Sequence, residues 1–112
     1  MDERERRLAE NEALFRAVNE RIEERAVALG DDGHVYEFFC ECSNPECTFR
    51  IRATLVEYER VRADPARFVV KPGHDLPEVE RVVVRDDAYW VVEKEDEAAE
   101  HAARLDPRSG AD

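Results

Sequence analysis

His34-Val35-Tyr36-Glu37-Phe38-Phe39-Cys40-Glu41-Cys42-Ser43-Asn44-Pro45-Glu46-Cys47-Thr48-Phe49-Arg50-Ile51-Arg52-Ala53 decides how this chain folds. Residues 34 to 41 put Tyr36, Phe38 and Cys40 on one side of a strand, and residues 48 to 53 alternate Phe49, Ile51 and Ala53 with Thr48, Arg50 and Arg52. The segment between them, Cys42 to Cys47, is too polar and too rich in turn formers to extend either strand. The spacing predicts an antiparallel hairpin whose tip carries all three cysteines of the protein, as Cys40-x-Cys42-x4-Cys47.

Working toward the N-terminus, Gly30-Asp31-Asp32-Gly33 is a helix stop and turn. Before it, residues 3 to 29 contain neither proline nor glycine, and Leu8, Phe15, Ile22 and Leu29 recur every seventh residue, with Asn11 and Val18 falling between them. This is an amphipathic helix with one apolar seam. The seam can lie against the helix's own domain or join two chains as a short coiled coil; Arg25 within it weakens the second arrangement.

Toward the C-terminus, Thr54-Leu55-Val56-Glu57 has capping-box spacing, so a helix should run from Leu55 to about Ala63, where Asp64-Pro65 breaks it. Phe68-Val69-Val70 reads as a short buried strand ending at Pro72-Gly73, with His74 just beyond. Leu76 to Val84 reads as a short helix passing into a strand, Tyr89 to Val92 as the second strand of a hairpin, and Glu95 to Leu105 as a helix with a thin apolar face. Pro107 to Asp112 is expected to fray. The fold class is α+β: an N-terminal amphipathic helix (1–30), a small domain (34–94) holding an antiparallel sheet of about four strands with the cysteine hairpin and short helices, and a short helix with a tail (95–112).

At 112 residues the chain is one small domain, and a core of that size leaves stability marginal, so extra cross-links matter. A net charge of -11, from 28 acidic and 17 basic residues, repels phosphate backbones and anionic lipid, and argues against nucleic acid and membrane as partners. Neither a signal peptide nor a run of 18 apolar residues is present, which points to the cytoplasm, where clustered thiols stay reduced and read as metal ligands.

Zinc takes four soft or borderline ligands in a tetrahedron, and a hairpin tip can offer thiolates from both strands. Cys40, Cys42 and Cys47 are the candidate thiolates, and His74, held at an exposed turn by Pro72-Gly73, is the candidate fourth ligand; His34, at a strand start, and His101, in a charged helix, compete less well. Three thiolates blunt the ion's Lewis acidity, so the expectation is a structural zinc rather than a catalytic one. Unpaired buried thiols, a Cys40–Cys47 or Cys42–Cys47 disulfide, and a nucleophilic or redox-sensing thiol beside His74 remain the alternatives. The acidic pairs Glu57/Glu59 and Glu78/Glu80 read as charged surface, and Trp90 as hairpin packing. Function on these grounds is a non-catalytic, zinc-stabilised interaction or regulatory module, with the N-terminal helix as the surface for self-association or a partner protein.

The residues Glu10 to Arg16, the cysteine cluster, Glu57-Tyr58-Glu59, Asp64-Pro65 through Pro72-Gly73-His74, and Val91-Val92-Glu93-Lys94 together resemble a group of small uncharacterised bacterial proteins. The resemblance covers most of the chain and implies one compact bacterial domain; it brings no activity and no ligand assignment.

Overall fold

The computed structural model describes residues 2–30 and 33–108; Asp31 and Asp32 of the expected turn, and residues 109–112 of the expected tail, lie outside them. The elements are α1 (Glu3–Leu29), β1 (Val35–Phe39), β2 (Arg50–Thr54), α2 (Leu55–Arg62), β3 (Arg67–Val70), β4 (Glu80–Arg85), β5 (Trp90–Lys94) and α3 (Asp96–Arg104). The class is α+β, with five strands in two antiparallel sheets where the sequence suggested about four in one. β1 pairs with β2, and β5 lies between β3 and β4.

Local chemistry sets the element ends. Asp2 and Glu5 form a capping box at the start of α1, and Gly30 ends that helix in the left-handed region at φ 73°. Thr54 and Glu57 form the second capping box, so β2 passes directly into α2. Leu76 to Val79 makes one turn, with the Glu80 N–H donating to the Leu76 carbonyl, and the valines then enter β4. The expected short helix is therefore a single turn, because β-branched residues gain more from pairing with β5 than from a helix.

Phe68-Val69-Val70 is an uninterrupted apolar run because both faces of its sheet are covered. Val69 and Val91 join Phe38, Ile51, Ala53, Leu55, Tyr58 and Val61 in one core cluster. Phe68, Val70 and Val92 turn the other way, toward Cys40, Cys42 and Ala102. The cysteines thus form part of the wall of a second core.

α1 packs against β1, α2 and α3, but not through an apolar seam. Its buried residues are Glu12, Arg16, Asn19, Glu20, Glu23 and Ala26; Leu8, Asn11, Phe15 and Ile22 are half-buried, and Leu29 is exposed. Each buried charge has a partner. Lys94 Nζ donates to Glu12 Oε2 at 2.6 Å and also to Glu80 Oε1. Arg62 bridges Asp106 and Glu20, and Arg16 donates to the backbone carbonyls of Pro65 and Arg67 while its guanidinium covers the Phe68 ring. Asp106 is buried and Arg108 reaches Glu20, Glu23 and Glu59, so the segment just after α3 is tied down rather than frayed.

Candidate metal centre

The side-chain alternation of β1 carries on past Phe39, so Cys40 and Cys42 emerge together while Glu41 points the opposite way. Asn44 then turns the chain: its carbonyl accepts from the Cys47 N–H at 3.1 Å and its side-chain oxygen from the Glu46 N–H at 3.0 Å. That turn brings Cys47 back over the first two thiols. His74 arrives from β3 through a second turn, in which the His74 N–H donates to the Lys71 carbonyl at 2.9 Å. Pro72 supplies the fixed first corner and Gly73, at φ 89°, the left-handed second corner, the arrangement of a type II turn.

The three sulfurs and a ring nitrogen of His74 all lie within 4.8 Å of one another. Nδ1 of His74 is 3.6 Å from Cys40 Sγ and 3.7 Å from Cys47 Sγ. Cys40 and Cys42 are buried, whereas Cys47 and His74 are half-buried, so the cluster has an inner and an outer side. The four residues are close together and could hold a metal ion. No disulfide joins the thiols. His34 instead meets Tyr36 edge to face at 4.5 Å, and His101 lies on α3 beside Arg104; neither belongs to the cluster.

Each sulfur also faces a backbone N–H. Lys71 N donates to Cys40 Sγ at 3.1 Å, the Asn44 N–H serves Cys42, and the Phe49 N–H serves Cys47. Such donors favour thiolate over thiol. The Cys40 thiol's hydrogen bond, helped by His74 and the Asn44 N–H and opposed by burial, brings Cys42 down to about 5. The same hydrogen bond, and then burial, pushes Cys40 up, and burial raises Cys47. Over the outer side, the Phe49 ring meets His74 edge to face at 5.3 Å and carries the Lys71 ammonium 3.9 Å from its centroid.

Of the acidic pairs, Glu59 and Glu78 lie on the surface as expected, while Glu57 is half-buried and Glu80 is buried. Glu80 is buried against Lys94, Glu57 caps α2 and accepts from the Tyr89 hydroxyl, and Glu59 holds Arg108. Sequence reasoning passed over the two residues that brace the cluster from behind. Glu41 is fully buried, with Oε2 accepting from Asn19 Nδ2 at 2.9 Å and from the Tyr58 hydroxyl at 3.0 Å. Asn19 also bonds both backbone groups of Phe39, accepting its N–H at 2.7 Å and donating to its carbonyl at 2.9 Å. A signal for Glu41 was present, since a carboxylate between two ligands of an alternating strand must face the interior. Asn19 gave none.

No protein-family model matches the chain, and neither the curated proteins nor the solved structures contain a match to it.

Proposed function

We propose that this chain is a non-catalytic protein-interaction or regulatory module stabilised by a structural zinc ion on Cys40, Cys42, Cys47 and His74. The observation that supports it is the geometry around the His74 ring nitrogen. Zinc–sulfur bonds of about 2.3 Å and zinc–nitrogen bonds of about 2.0–2.1 Å set a sulfur-to-nitrogen tetrahedral edge of roughly 3.6 Å. The two sulfur-to-Nδ1 separations, 3.6 and 3.7 Å, match that edge. With three thiolates and a neutral imidazole the loaded centre carries one net negative charge, which the three backbone N–H donors offset in part. Four protein ligands close the coordination sphere, which suits a staple. Thiolate ligands need a reducing compartment, so the reading also favours the cytoplasm.

The test is metal content by mass spectrometry on protein purified without chelator or histidine tag, for wild type and His74→Ala. One zinc per chain, loosened in the variant, is the expected result. Metal-free wild type with freely reactive thiols would overturn it.

With the inner face of α1 engaged, the surface that the helix offers a partner or a second copy is its outer face, where Leu14 is 63% and Val18 37% exposed. Among the described residues no helix is long and apolar enough to cross a membrane. One observation favours a second reading, a reactive or redox-sensing thiol: the Cys42 thiol brought down to about 5 is ionised at neutral pH. Thiol labelling at pH 7 separates the two. Fast, Cys42-selective modification of the protein as purified supports reactivity, and protection released only by chelator supports zinc.

A further inference from the structure

The ligand set comes from two stretches of chain that are far apart in sequence, the cysteine hairpin and the turn after β3, so something must hold them in register. The geometry points to Glu41 as the positioning residue of the metal centre: its backbone and carboxylate clamp β3 and thereby fix His74 over the three cysteines. This inference rests on the zinc reading above and goes further by assigning a role behind the ligands.

The clamp is built at one residue of β3. The Glu41 N–H donates to the Val69 carbonyl at 2.8 Å, and the Val69 N–H donates to Glu41 Oε1 at 3.1 Å. A carboxylate thus supplies the acceptor that a neighbouring strand would have supplied. Two residues further along, the Lys71 N–H meets Cys40 Sγ at 3.1 Å. The type II turn from Lys71 then delivers His74 Nδ1 to Cys40 and Cys47. From Val69 to His74 the path is five residues long, and Pro72 and the left-handed Gly73 stiffen it. A slip of β3 against Glu41 would therefore carry the imidazole away from the thiols. The carboxylate is itself held by Asn19 of α1 and Tyr58 of α2, so both helices back the clamp.

All three partners of the carboxylate are donors, so an amide in its place sets its own NH2 against a donor whichever way it is turned. Glu41→Gln is accordingly an isosteric probe of the clamp. Cobalt(II) serves as the metal, its affinity measured by competition with a chromogenic chelator and its visible spectrum reporting the ligand set. In wild type, Glu41→Gln, His74→Ala and the double variant, the expected result is an affinity loss of about 10- to 100-fold for Glu41→Gln. Its spectrum should shift toward that of His74→Ala, and the further loss on adding His74→Ala should be much smaller than in wild type. Leu55→Ala, a core variant on α2, should lower stability while leaving the cobalt spectrum unchanged. If Glu41→Gln does not fold, Asn19→Ala, which removes one bond from the same carboxylate, takes its place in the cycle with a smaller loss of the same kind.

Full additivity of the two substitutions, or an unshifted spectrum in Glu41→Gln, would overturn the assignment while leaving the zinc reading standing. Failure of wild type to bind cobalt would overturn both.

Discussion

The hairpin tip and the inner face of α1 both bury polar groups, yet they do so in opposite ways. The tip gathers three thiols and an imidazole to one point within 4.8 Å. The helix face spreads Glu12, Arg16, Glu20 and Glu23 along its length, each answered by a charge from another part of the chain. A point-like cluster can be satisfied by one ion and lost with it, whereas a distributed network loses one pair at a time. On the zinc reading, the comparison teaches that two kinds of cross-link would secure this domain. One would depend on what the solution supplies; the other is built entirely from the chain.

On that reading, the sharpest way to break the comparison is to remove the metal. Structural zinc contributes on the order of 10 kcal/mol of apparent binding free energy, comparable to the whole stability of a small domain. Chelation, or Cys40→Ser, should therefore abolish cooperative urea unfolding at neutral pH, followed by circular dichroism. A chelated protein that still unfolds cooperatively would shift the main burden of stability to the helix network.

The next effect belongs to that network. Arg62, whose side chain is fully shielded from solvent, bridges Asp106 and Glu20, and removing one partner of a buried pair costs about 3–5 kcal/mol. Arg62→Ala should lower the urea midpoint accordingly while leaving cobalt affinity unchanged. A fall in both would mean that the two cross-links are one.

These contrasts also explain what could be read from sequence. The hairpin, the Thr54–Glu57 capping box, the bounds of α1 and the clustering of Cys40, Cys42, Cys47 and His74 depend on neighbours close in sequence, or on residue types rare enough to stand out among 112, whereas the Asp2–Glu5 capping box went unread. The inner face of α1 depends on partners tens of residues away: Glu12 with Lys94, and Arg16 with Asp106. Charges at such spacing look like solvated surface, and the sevenfold recurrence of Leu8, Phe15 and Ile22 drew attention to the edge of the buried face rather than to its centre. The alternation of β1 pointed Glu41 inward, but its partners were hidden for the same reason, since the three groups that hold it come from three other elements.

Smaller perturbations sharpen the contrast. Gly73 sits at φ 89° with open space where a Cβ would go, so Gly73→Ala meets backbone strain of roughly 1–2 kcal/mol and no clash. Its cost should show chiefly in metal affinity, because the strain falls on the turn that aims His74. A purely thermal loss with unchanged affinity would detach that turn from the site.

The mildest effect is a titration. Burial pushes Glu12 up from 4.5 to about 7 against the pull of Lys94. A folded-state value above the unfolded one means that the folded chain binds the proton more tightly. Glu12 thus contributes stability that is complete below about pH 4.5 and is lost as pH rises through 7. Carbon-13 NMR of the Glu12 carboxyl should give a midpoint near 7; a midpoint near 4.5 would make the Glu12–Lys94 pair fully ionic at all working pH values.

Asn19 has a consequence of another kind. Because Cys40 turns its N–H toward Phe49 of the paired side, the backbone groups of Phe39 that Asn19 occupies are those on the unpaired edge of β1. An open edge ending in Phe38-Phe39 is a template on which a strand from another molecule can add. One amide on a helix blocks that addition where it would be most adhesive, so a chain whose α1 has lifted away would be exposed to self-assembly before it had lost its sheets.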